Sequence, residues 1–398
     1  MKILIISDSL ALGGGAEKFS ASLGIEFHKR NHEIYYLTLF DDNPKYDFKG
    51  KYLTFNESRS KNILAKIKDF FATSYKIQNI CKKNEIDLII SVGEVANFRA
   101  ILSKYLFRNK TKIYASHHIY PESYLNDKVT YNRIKFSYSK ANKVICVSKA
   151  IENVLREKYS LNNTLTIYNM IDTQSNLKKS NELLPEEYKE IFLDSFIFIN
   201  IGRLNFQKGH WFLLRSFKKV TCKYKDVKLC ILGDGDLKTK LAEMIIELNL
   251  EKNVFLIGNQ ENVYPFLKKS DCLILSSLLE GFPLTLIETL SLNLPVISTD
   301  CKTGPRECLC PSLDVNKEIE YPYFGEYGIL TKPFEKKWKY SKDKLDPAEE
   351  MLSNLMIKMI EDPILRKKYS NGLNRAKDFD KEKIVNQWEA LLSINEVI

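Results

Sequence analysis

The stretch SSLLEGFPLTLIETLSLNLPVIST, residues 276–299, sets two carboxylates on either side of a turn. Glu280 stands at the lip of a Gly-Phe-Pro turn, and Glu288 follows eight positions later inside an apolar run. Pro283 suits the first turn of a helix, where its missing N–H costs nothing. Gly281 and Phe282 would then turn backbone N–H groups toward an anion. An ionised carboxylate only accepts hydrogen bonds, which suits the paired hydroxyls of sugars. One acid before the helix and one inside it can reach opposite ends of an extended ligand. A solvent-facing position is the bland alternative for Glu288. Its flanking residues Leu284, Leu286, Ile287, Leu290 and Leu292 leave little exposed face for it.

Two other stretches are suited to phosphate. GRLNFQKGH, residues 202–210, holds Arg203 and Lys208 in a loop between Gly202 and Gly209. A guanidinium gives bidentate contacts and an ammonium a compact charge, a workable pair for a diphosphate. LGGGAEKF, residues 12–19, puts Gly13, Gly14 and Gly15 directly after an apolar run. Consecutive glycines let a backbone approach phosphate closely at the start of a helix. The spacing is not GxGxxG, so the dinucleotide fingerprint is absent; Asp41 and Asp42 are weak stand-ins for its ribose-binding acid.

The elements that must carry these residues alternate. KILIIS (2–7), EIYYLTLF (33–40), DLIISV (87–92), KIYASH (112–117) and KVICVS (143–148) are short apolar runs separated by helical periodicity. FIFINIG (196–202), VKLCILG (227–233), NVFLIG (253–258), DCLILSS (271–277) and LPVIST (294–299) repeat the theme. Such runs predict parallel sheets covered on both faces. The fold class expected is α/β, with two Rossmann-like domains facing a cleft. The first spans residues 1–180 and the second 190–375, and a C-terminal helix at 376–398 packs on the body or crosses back to the first domain. The polar stretch 173–192 reads as the linker.

At 398 residues the chain exceeds one ordinary core and fits two domains. No apolar window is long enough for a membrane span, and MKILIISDSLALGGG reads as a strand and turn, not a signal peptide. The eight Cys lack paired CxxC spacing; Cys301, Cys308 and Cys310 come closest to a cluster, so free thiols are expected and no metal site. The net charge of +10 is unevenly spread. Residues 59–149 hold 18 Lys+Arg against 6 Asp+Glu, whereas 191–398 hold 30 against 29. A lysine-rich bias would not confine the excess to one half, so an anionic partner of that half is expected. In residues 58–83, basic residues alternate with Ile63, Leu64, Ile67, Phe70, Phe71 and Ile77 at helical spacing. That pattern suits either a helix on an anionic membrane surface or a packed helix with a solvated basic face.

As a set these motifs resemble the family-4 retaining glycosyltransferases, of GT-B architecture. The likeness runs in order over nearly the whole chain: GGGAE, VICVSKA (144–150), TIYNMID (166–172), GRLNFQKG, LGDGDLKTKL (232–241), VFLIGNQENV (254–263), EGFPLTLIE, LPVISTDCKTGPRE (294–307) and GEYGILTKPF (325–334). The resemblance implies that Arg203 and Lys208 neutralise a donor diphosphate and that Glu288 binds the nucleotide ribose. Glu280 would contact the transferred sugar, with the backbone from Gly281 to Leu284 nearby. Gly14, Gly15, Gly202, Gly258 and Asn259 fall in the motifs that line the donor. An active-site His is implied after a mid-domain strand; YASHHIY (114–120) offers His117 and His118, the family's serine-x-His order favouring His118. The implied activity is retaining transfer from a nucleotide-sugar, by default a UDP-sugar, to a glycan or lipid-linked oligosaccharide acceptor in cell-surface polysaccharide synthesis. No cofactor and no metal are implied, since Asp234-Gly-Asp236 falls in a family turn motif. The expected place is cytoplasmic, peripheral to the inner face of the membrane. A sugar-nucleotide epimerase or hydrolase on the same fold is the close alternative. A nucleic-acid-binding protein would leave the phosphate motifs unexplained, and an NAD-linked oxidoreductase would need the missing fingerprint.

Overall fold

A computed structural model of the protein describes residues 1–10, 14–40, 43–44, 46–57, 63–121 and 127–393, the side chains of 63–67 excepted. Gly13, Asp41 and Asp42 lie outside the described residues, as do the side chains of Ile63, Leu64 and Ile67. The chain forms two compact units, Met1–Met170 with Lys381–Ile398, and Ile171–Asp380.

The first unit runs β1 (Lys2–Ser7), α1 (Gly15–Lys29), β2 (Glu33–Thr38), β3 (Lys51–Thr54), α2 (Ile63–Asn84) and β4 (Leu88–Val92). It continues α3 (Glu94–Phe107), β5 (Lys112–His117), α4 (Lys128–Lys140), β6 (Lys143–Cys146), α5 (Lys149–Tyr159) and β7 (Thr164–Thr166). The seven strands are parallel in the order β3-β2-β1-β4-β5-β6-β7. β1 and β4 are buried along nearly their whole length, as strands covered on both faces must be.

The second unit opens with α6 (Thr173–Lys179) and then alternates: β8 (Ile197–Ile201), α7 (His210–Lys223), β9 (Lys228–Leu232), α8 (Lys238–Glu247), β10 (Val254–Gly258) and α9 (Tyr264–Lys268). β11 (Cys272–Leu275), α10 (Leu284–Leu290), β12 (Val296–Thr299), α11 (Pro305–Leu309), β13 (Tyr323–Phe324) and β14 (Ile329–Thr331) follow. Helices α12 (Pro347–Glu361), α13 (Pro363–Tyr369) and α14 (Leu373–Ala376) close the unit. Its sheet has the order β10-β9-β8-β11-β12-β14-β13, parallel except for the β13 edge. In both sheets the strand order reverses beside the unit's first strand, β1 with β4 and β8 with β11. Open α/β sheets bind ligands beyond the carboxyl ends of the strands at that switch point.

One feature differs from the sequence-based expectation. The stretch 173–192 is not a free linker: the Asp172 carboxylate caps α6 by accepting the Ser175 N–H at 2.9 Å. Asn176 then donates to Ser291 Oγ at 3.3 Å and the Tyr188 hydroxyl to the Ile257 carbonyl at 3.3 Å, which ties the segment to the second unit. The division between units therefore falls at Met170–Ile171, not within 180–190. At the other end, α15 (Lys381–Ser393) belongs to the first unit. Its Trp388 is fully buried against Phe27, edge to face at 6.3 Å, and near Phe19 at 6.2 Å. Arg30 donates to Glu382 at 2.7 Å on the rim of the same contact.

Candidate functional site

In the second unit the switch point carries the residues singled out by motif. Gly202 follows β8, its N–H donating to the Leu232 carbonyl at 2.9 Å. The loop after it contains a single 3₁₀ turn, Phe206–Lys208, and ends at Gly209. Gly209 has φ +61°, and a Cβ there would stand 2.5 Å from the Ser276 carbonyl oxygen, so the position requires glycine. The close approach lets this loop zip onto the loop after β11. Leu278 N–H donates to Gln207 O at 2.8 Å, Gln207 Nε2 to Leu279 O at 2.7 Å, and Ser276 Oγ to Lys208 O at 2.9 Å.

That register sets Lys208 Nζ 2.6 Å from Glu280 Oε1. Ser277 Oγ donates to the same oxygen at 2.6 Å. Glu280 is buried, and its carbonyl accepts the Thr303 hydroxyl. The Thr299 hydroxyl in turn holds the Ser277 carbonyl at 2.6 Å. The acid is thus fixed by two hydroxyls, Ser277 at its side chain and Thr303 at its backbone, and Thr299 at the end of β12 steadies Ser277. Arg203 sits in the same loop as Lys208, exposed, with no ion pair among the described residues.

Helix α10 starts at Leu284, one residue later than expected; Pro283, φ −77°, is its N-cap. Gly304, φ +91°, packs against the Pro283 ring where a Cβ would collide. Phe282 is buried against Phe379 at 5.4 Å. Glu288 is buried as well and accepts a hydrogen bond from Tyr264, at the start of α9. Gly258 ends β10, its carbonyl accepting the Gly233 N–H at 2.8 Å, and Asn259 beside it is exposed. Neither Tyr264 nor Ser277 was found from the sequence. No spacing rule links a helix-starting Tyr to an acid 24 residues away, and Ser277 reads as an ordinary strand-end serine.

His210, which opens α7, is structural. It is fully buried, its Nε2 lies 3.0 Å from Asn200 Oδ1, and burial lowers its pKa to about 3. Cys301, Cys308 and Cys310 are buried thiols, Cys310 pushed up to about 12 by burial. Among the described residues no group of three or more His, Cys, Asp or Glu is placed to share a metal ion.

The first unit's switch point forms a pocket of about 320 Å³, lined by Ser7 at the end of β1 with Asp8 and Ser9 after it, Gly93 and Glu94 after β4, and His117 at the end of β5 with His118 after it. Asp8 accepts the Ala96 N–H at 3.2 Å, satisfying the uncapped start of α3. His117 Nδ1 lies 2.7 Å from the Tyr138 hydroxyl, and Asn97 Nδ2 donates to that hydroxyl at 3.0 Å. Burial lowers the His117 pKa to about 4, so the ring is neutral near pH 7. His118 Nε2 lies 2.9 Å from Ser116 Oγ, and its ring stands 5.1 Å from Phe19; burial and His117 lower its pKa too. Gly15 opens α1 and Gly14 is its N-cap, with Glu17 in the first turn also lining the pocket.

Helix α2 is partly settled into the unit. Ile77 is buried, and Phe70 packs on Phe98 at 5.5 Å and on the Arg99 guanidinium at 4.8 Å. Phe71 and Tyr75 are exposed. No described helix is long and apolar enough to cross a membrane.

Two parallel-sheet units, each with polar and charged side chains gathered at its switch point, are the architecture of GT-B glycosyltransferases. Solved structures agree. The chain matches the HepE protein of Anabaena in complex with UDP at TM-score 0.73 and 17% identity, over 99% of this chain and 100% of that one. It matches sucrose-phosphate synthase from Thermosynechococcus elongatus at TM-score 0.77 and 15% identity, over 99% and 98%. Residues 13–175 match Glycosyltransferase Family 4, and residues 186–316 match Glycosyl transferases group 1. An uncharacterized glycosyltransferase of Methanocaldococcus jannaschii is 48% identical over 358 residues, 86% of this chain and 88% of that one. The N-acetylgalactosamine-N,N'-diacetylbacillosaminyl-diphospho-undecaprenol 4-alpha-N-acetylgalactosaminyltransferase of Campylobacter jejuni is 30% identical over 383 residues, 93% and 94% of the two chains. The chain belongs to the family 4, group 1 glycosyltransferases and is a glycosyltransferase enzyme.

Proposed function

We propose that this enzyme transfers a sugar from a UDP-sugar to a hydroxyl of a lipid-linked glycan, with retention of configuration, in the assembly of a cell-surface polysaccharide. The observation that carries the proposal is the Lys208–Glu280 pair, 2.6 Å apart in the loops beyond β8 and β11. A cation for a leaving phosphate and an acid for sugar hydroxyls stand in contact, as transfer from a sugar diphosphate requires. The UDP bound to HepE and the diphospho-undecaprenol in the Campylobacter relative's name support the choice of donor and acceptor.

As the bond from the sugar to the phosphate breaks, negative charge grows on the leaving diphosphate and positive charge on the sugar ring. Arg203 and Lys208 stabilise the first. Glu280 holds hydroxyls of the transferred sugar, and Glu288 holds those of the ribose. Gly202, Gly258, Asn259 and the backbone from Gly281 to Leu284 line the donor. The acceptor hydroxyl attacks from the face the diphosphate leaves, and the departing phosphate oxygen takes its proton. No side-chain base is assigned. The pocket after β1, β4 and β5 takes the acceptor, where neutral His117 and His118 offer hydrogen bonds without charge. Leaving-group charge is assigned to the two cations of this chain rather than to a metal ion. The exposed Phe71 and Tyr75 on the basic helix α2 rest on an anionic membrane surface at the cytoplasmic face.

The test is release of nucleoside diphosphate from a panel of nucleotide-sugars, with and without a diphospho-lipid oligosaccharide acceptor, followed by NMR of the product anomer. Turnover of a UDP-sugar with an α-linked product from an α-linked donor is expected; an inverted product or an epimerised nucleotide-sugar would refute it. Liposome flotation tests the membrane contact: binding to anionic vesicles at low salt is expected, and its absence would remove that part.

A further inference from the structure

Glu288 is not held by its own helix alone. Its Oε1 accepts the Tyr264 hydroxyl at 3.2 Å, and both residues are buried, at 8% and 7% exposure. The two come from different elements, and each is anchored separately. On the tyrosine side, Asn262 Oδ1 accepts the Tyr264 N–H at 3.1 Å. Asn262 Nδ2 is fixed in turn by the Lys179 carbonyl at 3.0 Å and Glu182 at 2.7 Å. On the acid side, Ser291 Oγ donates to the Glu288 carbonyl at 2.6 Å, and Asn176 donates to that Oγ at 3.3 Å. Burial, then the nearby Glu288 charge, pushes the phenol pKa far above its ordinary value, so the hydroxyl keeps its proton and can only be a donor toward the acid.

The terminal torsion of a glutamate is broad and easily turned. A carboxylate whose oxygen is gripped by a rigid ring loses that freedom and is held in one orientation. We propose that Tyr264 is a positioning residue for donor binding, whose hydroxyl locks the Glu288 carboxylate in the orientation that accepts the ribose hydroxyls of the nucleotide. The inference rests on the assignment of Glu288 to the ribose and deepens it by naming what orders that acid before the donor arrives. Tyr264 itself stays outside the chemistry.

The test compares the full chain with Tyr264→Phe, which keeps the ring and removes only the hydroxyl. Calorimetric affinities are measured for UDP and for 2′,3′-dideoxy-UDP, which lacks the hydroxyls in question. If the phenol works through the ribose-binding acid, the substitution weakens UDP by roughly five- to tenfold and dideoxy-UDP by less than about twofold. In turnover, the donor KM rises by a similar factor while kcat stays within about twofold. On a Glu288→Gln background the same substitution adds less than about twofold, because the group it orders has lost its charge. Equal weakening of both nucleotides would mark a merely structural role and overturn the proposal, as would unchanged affinities or a fall in kcat at constant KM. If the unaltered protein binds UDP and dideoxy-UDP equally, the ribose assignment fails, and the inference with it. If the unaltered protein distinguishes them and Tyr264→Phe still does, to the same degree, the inference fails alone.

Discussion

Lys208 and Ser277 meet on one oxygen: both donate to Glu280 Oε1, each at 2.6 Å, from loops that follow different strands. The Lys208 ammonium is therefore committed to an acid, and under the proposed function a donor diphosphate has to share it or draw it away.

Removing the cation should be felt in rate more than in folding. Lys208→Ala is expected to lower kcat by about 10²–10³-fold, the scale of losing one preorganised donor at a developing oxyanion. It also leaves Glu280 buried with fewer partners, so unfolding should become easier by about 1–2 kcal/mol. Nucleoside diphosphate release and urea denaturation measure the two effects; unchanged kcat would contradict the role given to Lys208.

Ser277→Ala leaves the Lys208–Glu280 pair in place and removes the second donor. A loss of about three- to tenfold in kcat is expected, with binding of UDP alone nearly unchanged, because the hydroxyl orders the acid that the proposed function places at the sugar. Steady-state kinetics beside UDP calorimetry separate the two; an equal loss in both would argue for general loosening of the loop.

Acid should destabilise each unit through a buried histidine. The folded pKa is about 4 for His117 and about 3 for His210, against ~6.5 for an unfolded imidazole. The unfolded chain therefore takes up the proton first as pH falls. The stabilisation is whole above about pH 6.5 and drains away toward pH 4 and 3, by about 1.4 kcal/mol per pH unit for each histidine. Denaturation between pH 7.5 and 4.5 should show this slope, and His210→Gln should lower it by one proton in the second unit's transition.

Trp388 fills the first unit's core from the far end of the sequence. Trp388→Ala is expected to cost about 3–5 kcal/mol in that unit and little in the other. Differential scanning calorimetry should show one transition moved and one retained.

Much of this arrangement was legible in the residues. The strands that sit at the switch points are continuous apolar runs, and the loops after them carry the Gly, Arg, Lys and Glu that the motifs picked out. β3 and β7 were not read, because KYLT and TLT are short edge segments without an apolar signature. The stretch 173–192 looked like a linker because its anchors, Asn176 to Ser291 and Tyr188 to Ile257, are contacts far along the chain that composition cannot express. The same limit hid Tyr264 and Ser277. Each matters through the acid it touches, and only the folded chain brings the partners within reach.

The second unit is entered at Ile171 and left at Asp380, two residues paired as neighbours in a parallel bridge, with Thr173 Oγ1 donating to Asp380 at 2.5 Å. It is thus a closed insertion within a unit whose last helix is made after it. On the ribosome the later-coded body can finish first, while the earlier one waits with Phe19 and Phe27 uncovered until residue 388 emerges. A stop codon near position 380 would consequently spare the lobe it ends and cripple the one translated long before.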